Sequence, residues 1–205
     1  MKTLILVDVQ NDFMEGGTLE VPQANRIVPV INSLLKQFDL VVATQDWHPQ
    51  NHQSFASNHS NKKPFDKINR LGNEETLWPD HCLQGSKGAE FHPDLETNQI
   101  AAIFRKGMDP EIDSYSGFYD NDHQKSTGLS GYLEEKKITE IYICGLASDI
   151  CVYHTIIDAI NEEFSVVFIE DASQALNNDD FETLKKKLIR MGVRIIQSDE
   201  IMTIK

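Results

Sequence analysis

The residues best equipped for chemistry in this chain are Cys151, Asp8, Lys106 and a set of aspartate and histidine side chains between positions 46 and 81. A cysteine attacks a carbonyl as the thiolate. A carboxylate such as Asp8 can take the thiol proton and later pass it to a leaving amine. An ammonium such as Lys106, set between the two, stabilises both anions. It also lowers the thiol pKa, as does the N-terminus of a helix. Backbone N–H groups entering that helix, at Ala147 and Cys151, are placed to form an oxyanion hole. Taken singly, each side chain has a plainer reading. A free cysteine is usually a small buried hydrophobe, a strand-end aspartate closes a turn, and a lysine is solvated.

A second cluster lies in Thr44-Gln45-Asp46-Trp47-His48-Pro49-Gln50-Asn51-His52 and in Trp78-Pro79-Asp80-His81-Cys82. Asp46 and His48 are two apart, so an extended backbone points them the same way. With His81 they make a two-histidine, one-carboxylate site with open positions for water or substrate. Zn²⁺, Fe²⁺ and Mn²⁺ all suit such ligands. His52 is a candidate fourth ligand, but a surface histidine is the expectation there, and Cys82 is expected to pack within its loop. A zinc deaminase needs H-x-E and P-C-x-x-C, and neither occurs.

These residues need a scaffold that gathers them. The apolar runs predict strands over Thr3–Val7, Leu40–Thr44, Ile100–Arg105, Glu140–Cys144, Val166–Ile169 and Val193–Ile196. Helical spacing predicts helices from about Asn25 to Phe38, over Gly128–Lys137, over Ser148–Ala159 with Ser148 or Asp149 as N-cap, and over Asp179–Met191. Strands apolar on both faces that alternate with helices imply a mostly parallel six-stranded sheet covered on both sides, an α/β fold in three layers. In such a sheet, sites form at the carboxyl ends of the strands. Asp8 follows the first strand, Asp46 and His48 the second, Lys106 the third, and Cys151 opens the helix after the fourth. Their meeting on one rim favours the chemical reading of all of them. Residues 45–99 form a long irregular stretch, which is functional or holds further elements.

At 205 residues the chain is expected to form one domain over 1–205. A net charge of −13 argues against a nucleic-acid partner, which requires a basic face. No apolar run reaches the ~18 residues of a membrane span, and the N-terminal run meets Asp8 before any cleavage site, so it reads as a strand. Three cysteines, an odd count, make no disulfide framework, and a reducing cytoplasm is the expected location. Self-association stays open. Cys144 is expected in the core, Asp171 in a structural role, and Lys185–Lys187 on a solvated helix face. His59, His92, His123 and His154 have no partner legible in the sequence.

The blocks Asp8-Val9-Gln10-Asn11-Asp12-Phe13, Asp46-Trp47-His48-Pro49 with His52, Trp78-Pro79-Asp80-His81-Cys82, Lys106-Gly107, Asp113-Ser114-Tyr115-Ser116-Gly117-Phe118 and Gly145-Leu146-Ala147-Ser148-Asp149-Ile150-Cys151-Val152 occur in one order along residues 1 to about 175. In that order they resemble the nicotinamidase/pyrazinamidase branch of the isochorismatase-like cysteine hydrolases. The resemblance implies a six-stranded α/β/α sandwich. It also implies hydrolysis of nicotinamide to nicotinate and ammonia through a cysteine thioester, a step of NAD salvage, with pyrazinamide as a further substrate. Asp8, Lys106 and Cys151 correspond to the family triad, and Asp46, His48 and His81 to its metal ligands, with Zn²⁺ the leading ion. In the family that ion holds the pyridine nitrogen. Phe13, Trp78 and Tyr115 correspond to the walls around the ring, and Leu146–Ala147 to a non-proline cis peptide. Ser148 and Ile150 depart from the family pattern, and Ile150 adjoins the thiol. The metal set argues against related amidases of ureido compounds, which need no ligand for a ring nitrogen.

Overall fold

Six parallel strands carry the fold: β1 Thr3–Val7, β2 Leu40–Asp46, β5 Ala102–Lys106, β6 Glu140–Leu146, β7 Ser165–Gln174 and β8 Arg194–Ile196, in the spatial order β5-β2-β1-β6-β7-β8. The computed structural model describes residues 1–70 and 72–203. β1 and β2 are buried along their whole length. Their central runs, Leu-Ile-Leu-Val and Leu-Val-Val-Ala, are apolar on both faces because both faces are covered. Alternate residues of β1 point to opposite layers. Leu4 and Leu6 pack with Ile27, Ile31 and Leu34 of helix α1 (Ile27–Leu35) and with Ile201 of α5 (Ser198–Thr203). Ile5 and Val7 pack with Leu129 and Leu133 of α2 (Leu129–Glu135), Val152 and Ile156 of α3 (Cys151–Asn161), and Phe181 and Leu188 of α4 (Asn178–Arg190). The result is the expected three-layer sandwich.

Register gathers the strand ends. Asp46 pairs with Lys106 across β2 and β5, and Val7 pairs with Gly145 across β1 and β6. β5, β2, β1 and β6 are consecutive neighbours, so Lys106, Asp46, Asp8 and the turn leading to Cys151 leave the sheet side by side. Gly145 is required at this seam. Its φ is +125°, and a Cβ there would lie 2.1 Å from the Val7 carbonyl oxygen. Gly145→Ala is therefore expected to cost roughly 2–5 kcal/mol, read as a lower denaturation midpoint in urea.

Several expectations change in detail. α3 begins at Cys151, and neither Ser148 nor Asp149 caps it: Ile150 holds the cap position without a side-chain hydrogen bond. Asp149 instead accepts from the Leu176 and Asn177 N–H groups, each at 2.8 Å, and so ties the start of α3 to the chain leaving β7. β7 runs on to Gln174, past the polar Glu170 and Asp171 that end its apolar run, because a register shift against β6 accommodates them. Asp171 is structural, accepting from the Ser198 N–H and hydroxyl at the start of α5. Lys185 leaves the solvated face to pair with Glu170 at 2.8 Å. The irregular stretch holds an antiparallel hairpin, β3 Lys67–Arg70 with β4 Asn73–Thr76.

Candidate active site

Lys106, only 2% exposed, is the hub of the rim. Its Nζ lies 2.6 Å from Asp46 Oδ1, 2.9 Å from Asp8 Oδ2, 2.9 Å from the Ser114 carbonyl oxygen and 3.5 Å from Cys151 Sγ. Asp8 turns out of β1 with φ +50°, in the left-handed region that aspartate tolerates better than most residues. Thr44 of β2 fixes it: the Thr44 hydroxyl donates to Asp8 Oδ1 at 2.6 Å and accepts from the Asp8 N–H at 3.2 Å. That leaves Oδ2 for the lysine and the thiol, and oxygens of Asp8 and Asp46 and Cys151 Sγ all lie within 4.8 Å of one another. Gln10 clamps the neighbouring strand. Its amide donates to the Asp46 and Ala89 carbonyls, and its Oε1 accepts from the Asp46 N–H at 2.8 Å.

These charges divide the roles. Burial pushes the Asp46 carboxyl up, but Lys106 and His48 override it and hold Asp46 well below the usual range. Burial with the nearby Asp46 charge prevails at Asp8, whose pKa is raised despite Lys106. Burial disfavours the Lys106 ammonium, yet Asp46 and Asp8 outweigh it, and lysine stays charged. Two carboxylates around one cation are thus pushed apart: Asp46 stays anionic while Asp8 is suited to carry a proton. The thiol departs from expectation. Burial, aided by Asp8 and Asp46, pushes Cys151 well above its ordinary value against the pull of Lys106. The resting group is the thiol, so the site needs a base beside it.

Asp46 Oδ2 also faces two imidazoles, 3.3 Å from His48 Nε2 and 3.7 Å from His81 Nε2. The other nitrogen of each ring is committed: His48 Nδ1 lies 2.8 Å from the Gly107 carbonyl and His81 Nδ1 2.8 Å from the Pro79 carbonyl. A carbonyl only accepts, so each Nδ1 carries its proton and, in the neutral rings, each Nε2 presents a lone pair. Three electron-rich atoms within 4.8 Å of one another suit a divalent cation. Gly107 makes this approach fit. A Cβ there would stand 2.3 Å from His48 Cε1, and φ is +65°. Gly107→Ala is expected to weaken divalent-metal binding at least about tenfold, as measured by competition with a chromophoric chelator.

His52 is fully buried rather than on the surface. Its Nδ1 lies 2.7 Å from Ser54 Oγ, Nε2 meets no hydrogen-bonding partner among the described residues, and burial pushes its pKa down to about 4. Cys82 packs in its loop as expected, its N–H donating to Asp12 Oδ2 at 2.7 Å. Cys144 is in the core.

A pocket of about 390 Å³, counted to its open mouth, reaches Asp46, His81 and Cys151, at the small end of the range for ligand sites. All three anticipated aromatic walls line it. Phe13 stands 5.5 Å from the His81 ring, and Trp78 Nε1 donates to the Tyr115 hydroxyl at 3.2 Å. His154 packs behind Tyr115 with ring centroids 5.3 Å apart. Ile150 also lines the pocket, as do Leu19, Val21 and Leu176, which come from loops with no local signal. The Leu146–Ala147 peptide is cis. The Ala147 and Cys151 N–H groups donate to no backbone carbonyl among the described residues, which leaves both free for a ligand oxygen.

The isochorismatase domain model matches residues 2–200. A curated nicotinamidase of Acinetobacter baylyi is 46% identical over 200 residues, covering 97% of this chain and 94% of its own. That of Escherichia coli is 43% identical over 180 residues, covering 86% and 84%. Among solved structures, an Acinetobacter baumanii nicotinamidase and pyrazinamidase is 46% identical with a TM-score of 0.94, covering 98% of this chain and 97% of its own. A Pyrococcus horikoshii pyrazinamidase in complex with zinc is 34% identical with a TM-score of 0.79, covering 96% and 98%.

Proposed function

The chain belongs to the isochorismatase domain family, and from that premise we propose that it is a nicotinamidase, hydrolysing nicotinamide to nicotinate and ammonia, with pyrazinamide as a second substrate. The observation that carries the reading is the Lys106 ammonium bonded to Asp8 and Asp46 and 3.5 Å from the Cys151 thiol, at the foot of an aromatic pocket.

Asp8 is the base. It takes the thiol proton as Cys151 Sγ bonds to the carboxamide carbon, and Lys106 stabilises the thiolate as it forms. The Ala147 and Cys151 N–H groups hold the resulting oxyanion. Collapse breaks the C–N bond, and Asp8 returns its proton to the departing ammonia. Asp8 then takes a proton from water, whose oxygen attacks the thioester carbon. The C–S bond breaks, the proton on Asp8 goes back to sulfur, and the acid formed gives its remaining proton to solvent and leaves as nicotinate. Burial that raises the Asp8 pKa suits it to both directions of transfer. Phe13, Trp78 and Tyr115 bind the ring and exclude water from its faces. Asp46, His48 and His81 would hold a divalent metal ion, for which we propose zinc, and when bound it supplies a Lewis-acidic anchor for the ring nitrogen.

In this reading residues 1–205 are one catalytic unit in NAD salvage, located in the cytoplasm, acting on a small molecule with neither nucleic acid nor membrane as partner. Among the described residues no helix is long and apolar enough to cross a membrane. Ammonia release from nicotinamide, compared with release from a ureido compound of similar size, tests the reading. Turnover should favour nicotinamide by at least about 10²-fold, and preference for the ureido compound would reverse the assignment.

A further inference from the structure

The pocket does not end at its mouth. Trp78, Ile150 and Leu176 line it and also line an open groove that continues to Thr183 and Leu184 on α4, with Phe65 beside Trp78. Phe65 is unusual on two counts. It is 58% exposed although large and apolar. Its φ is +71°, a region that bulky side chains seldom enter. The Phe65 N–H donates to the Leu77 carbonyl at 2.6 Å, which holds the backbone in that conformation, and its ring meets Trp78 edge-on with centroids 6.0 Å apart. Core packing does not account for an aromatic ring kept in water on a strained backbone. A contact surface for a ligand does.

Ring geometry says which ligand. In the reading given under Proposed function, on which this inference rests, the pyridine nitrogen faces Asp46 and His81 and the carboxamide carbon faces Cys151. Those are ring positions 1 and 3. Carbon 2 lies between the two anchors, and carbon 5, opposite it, points away from both. The groove leaves the pocket past Trp78, Ile150 and Leu176, none of which holds an anchor. We propose that this groove is an outer subsite, and that the enzyme hydrolyses nicotinamides carrying an uncharged aryl or alkyl group on carbon 5. One water is consumed, and the matching 5-substituted nicotinate and ammonia are formed. Asp149 and Asp180 border the groove, so an anionic substituent is excluded.

The test compares kcat/KM for nicotinamide and 5-phenylnicotinamide in the wild type, Phe65→Ala and Thr183→Trp, with metal loaded. Both substitutions fall at exposed positions outside the catalytic set. Phe65→Ala removes the aromatic shelf and Thr183→Trp fills the groove. Wild type should turn over both amides. Each variant should lose about tenfold on 5-phenylnicotinamide and stay within about twofold on nicotinamide, the scale of one aromatic contact. Dissociation constants of the same amides for the Cys151→Ala protein, measured by calorimetry with and without Phe65→Ala, should shift in the same selective pattern. A wild type that hydrolyses nicotinamide but not 5-phenylnicotinamide overturns the outer subsite alone, as does an equal effect, or none, on both amides. A wild type inert toward nicotinamide overturns the reading beneath it.

Discussion

Cys151→Ala is expected to lower nicotinamide turnover by at least about 10⁴-fold, because removing the member of a catalytic unit that forms the covalent bond forfeits the whole route. The small buried side chain is replaced by one that fits, so the fold and ligand binding should persist. Asp8→Asn is the sharper companion. It keeps the shape of the side chain beside Lys106 but cannot carry a proton, and turnover should fall about 10³-fold. The thiol should respond in the opposite sense. Burial is the main reason the Cys151 pKa lies high, and the Asp8 charge adds to it, opposed by Lys106. Removing that charge leaves Lys106 with fewer anions to satisfy, so alkylation of Cys151 by iodoacetamide at neutral pH should become faster in Asp8→Asn. Slower catalysis with a more reactive thiol identifies Asp8 as the base. A fall in both rates together with a lower melting temperature would mean that Asp8 only holds the site in shape.

Metal removal should have the next largest effect. Stripping the protein with a strong chelator is expected to reduce kcat/KM for nicotinamide at least about 10²-fold, and zinc should restore it. The loss should fall on substrate positioning, since Asp8, Lys106 and Cys151 hold one another without the ion. The metal-free site carries its own pH signature. Burial works against the His48 imidazolium, but Asp46 overrides it, and the His48 pKa is raised. The His48–Asp46 attraction therefore adds stability that is complete below about pH 6.5, the unfolded value, and is lost as pH rises through the raised folded value. Metal binding needs His48 neutral, so zinc affinity should strengthen as pH rises across that window. Calorimetric zinc titrations from pH 5.5 to about pH 8 would read this, and affinity independent of pH would remove His48 from the ligand set.

The strand ends were legible because a parallel sheet leaves a strong local signature. Thr3–Val7 and Leu40–Thr44 are largely apolar runs, the first meeting Asp8 directly and the second ending two residues before Asp46. The hairpin at Lys67–Arg70 and Asn73–Thr76 was not legible, since Lys-Ile-Asn-Arg and Asn-Glu-Glu-Thr show no apolar face. Leu19, Val21 and Leu176 reach the pocket through long-range loop packing, which local periodicity cannot encode. The thiol pKa was misread for a related reason. The sequence displays Lys106 and a helix start, both of which lower it, but not the depth of burial that overrides them. His52 followed suit: its polar neighbours suggested the surface, whereas Phe55 and His48 pack against its ring.

The central claim is that Cys151 forms a covalent bond with the carbonyl carbon of the substrate amide. Rapid acid quench of the enzyme during turnover of nicotinamide, followed by peptide mass spectrometry, tests it most directly. The account predicts a peptide containing Cys151 that has gained one nicotinoyl group, absent from Cys151→Ala and from peptides holding Cys82 or Cys144. Sustained turnover by the Cys151→Ala protein, with no acylated peptide in the wild type at any quench time, would contradict it.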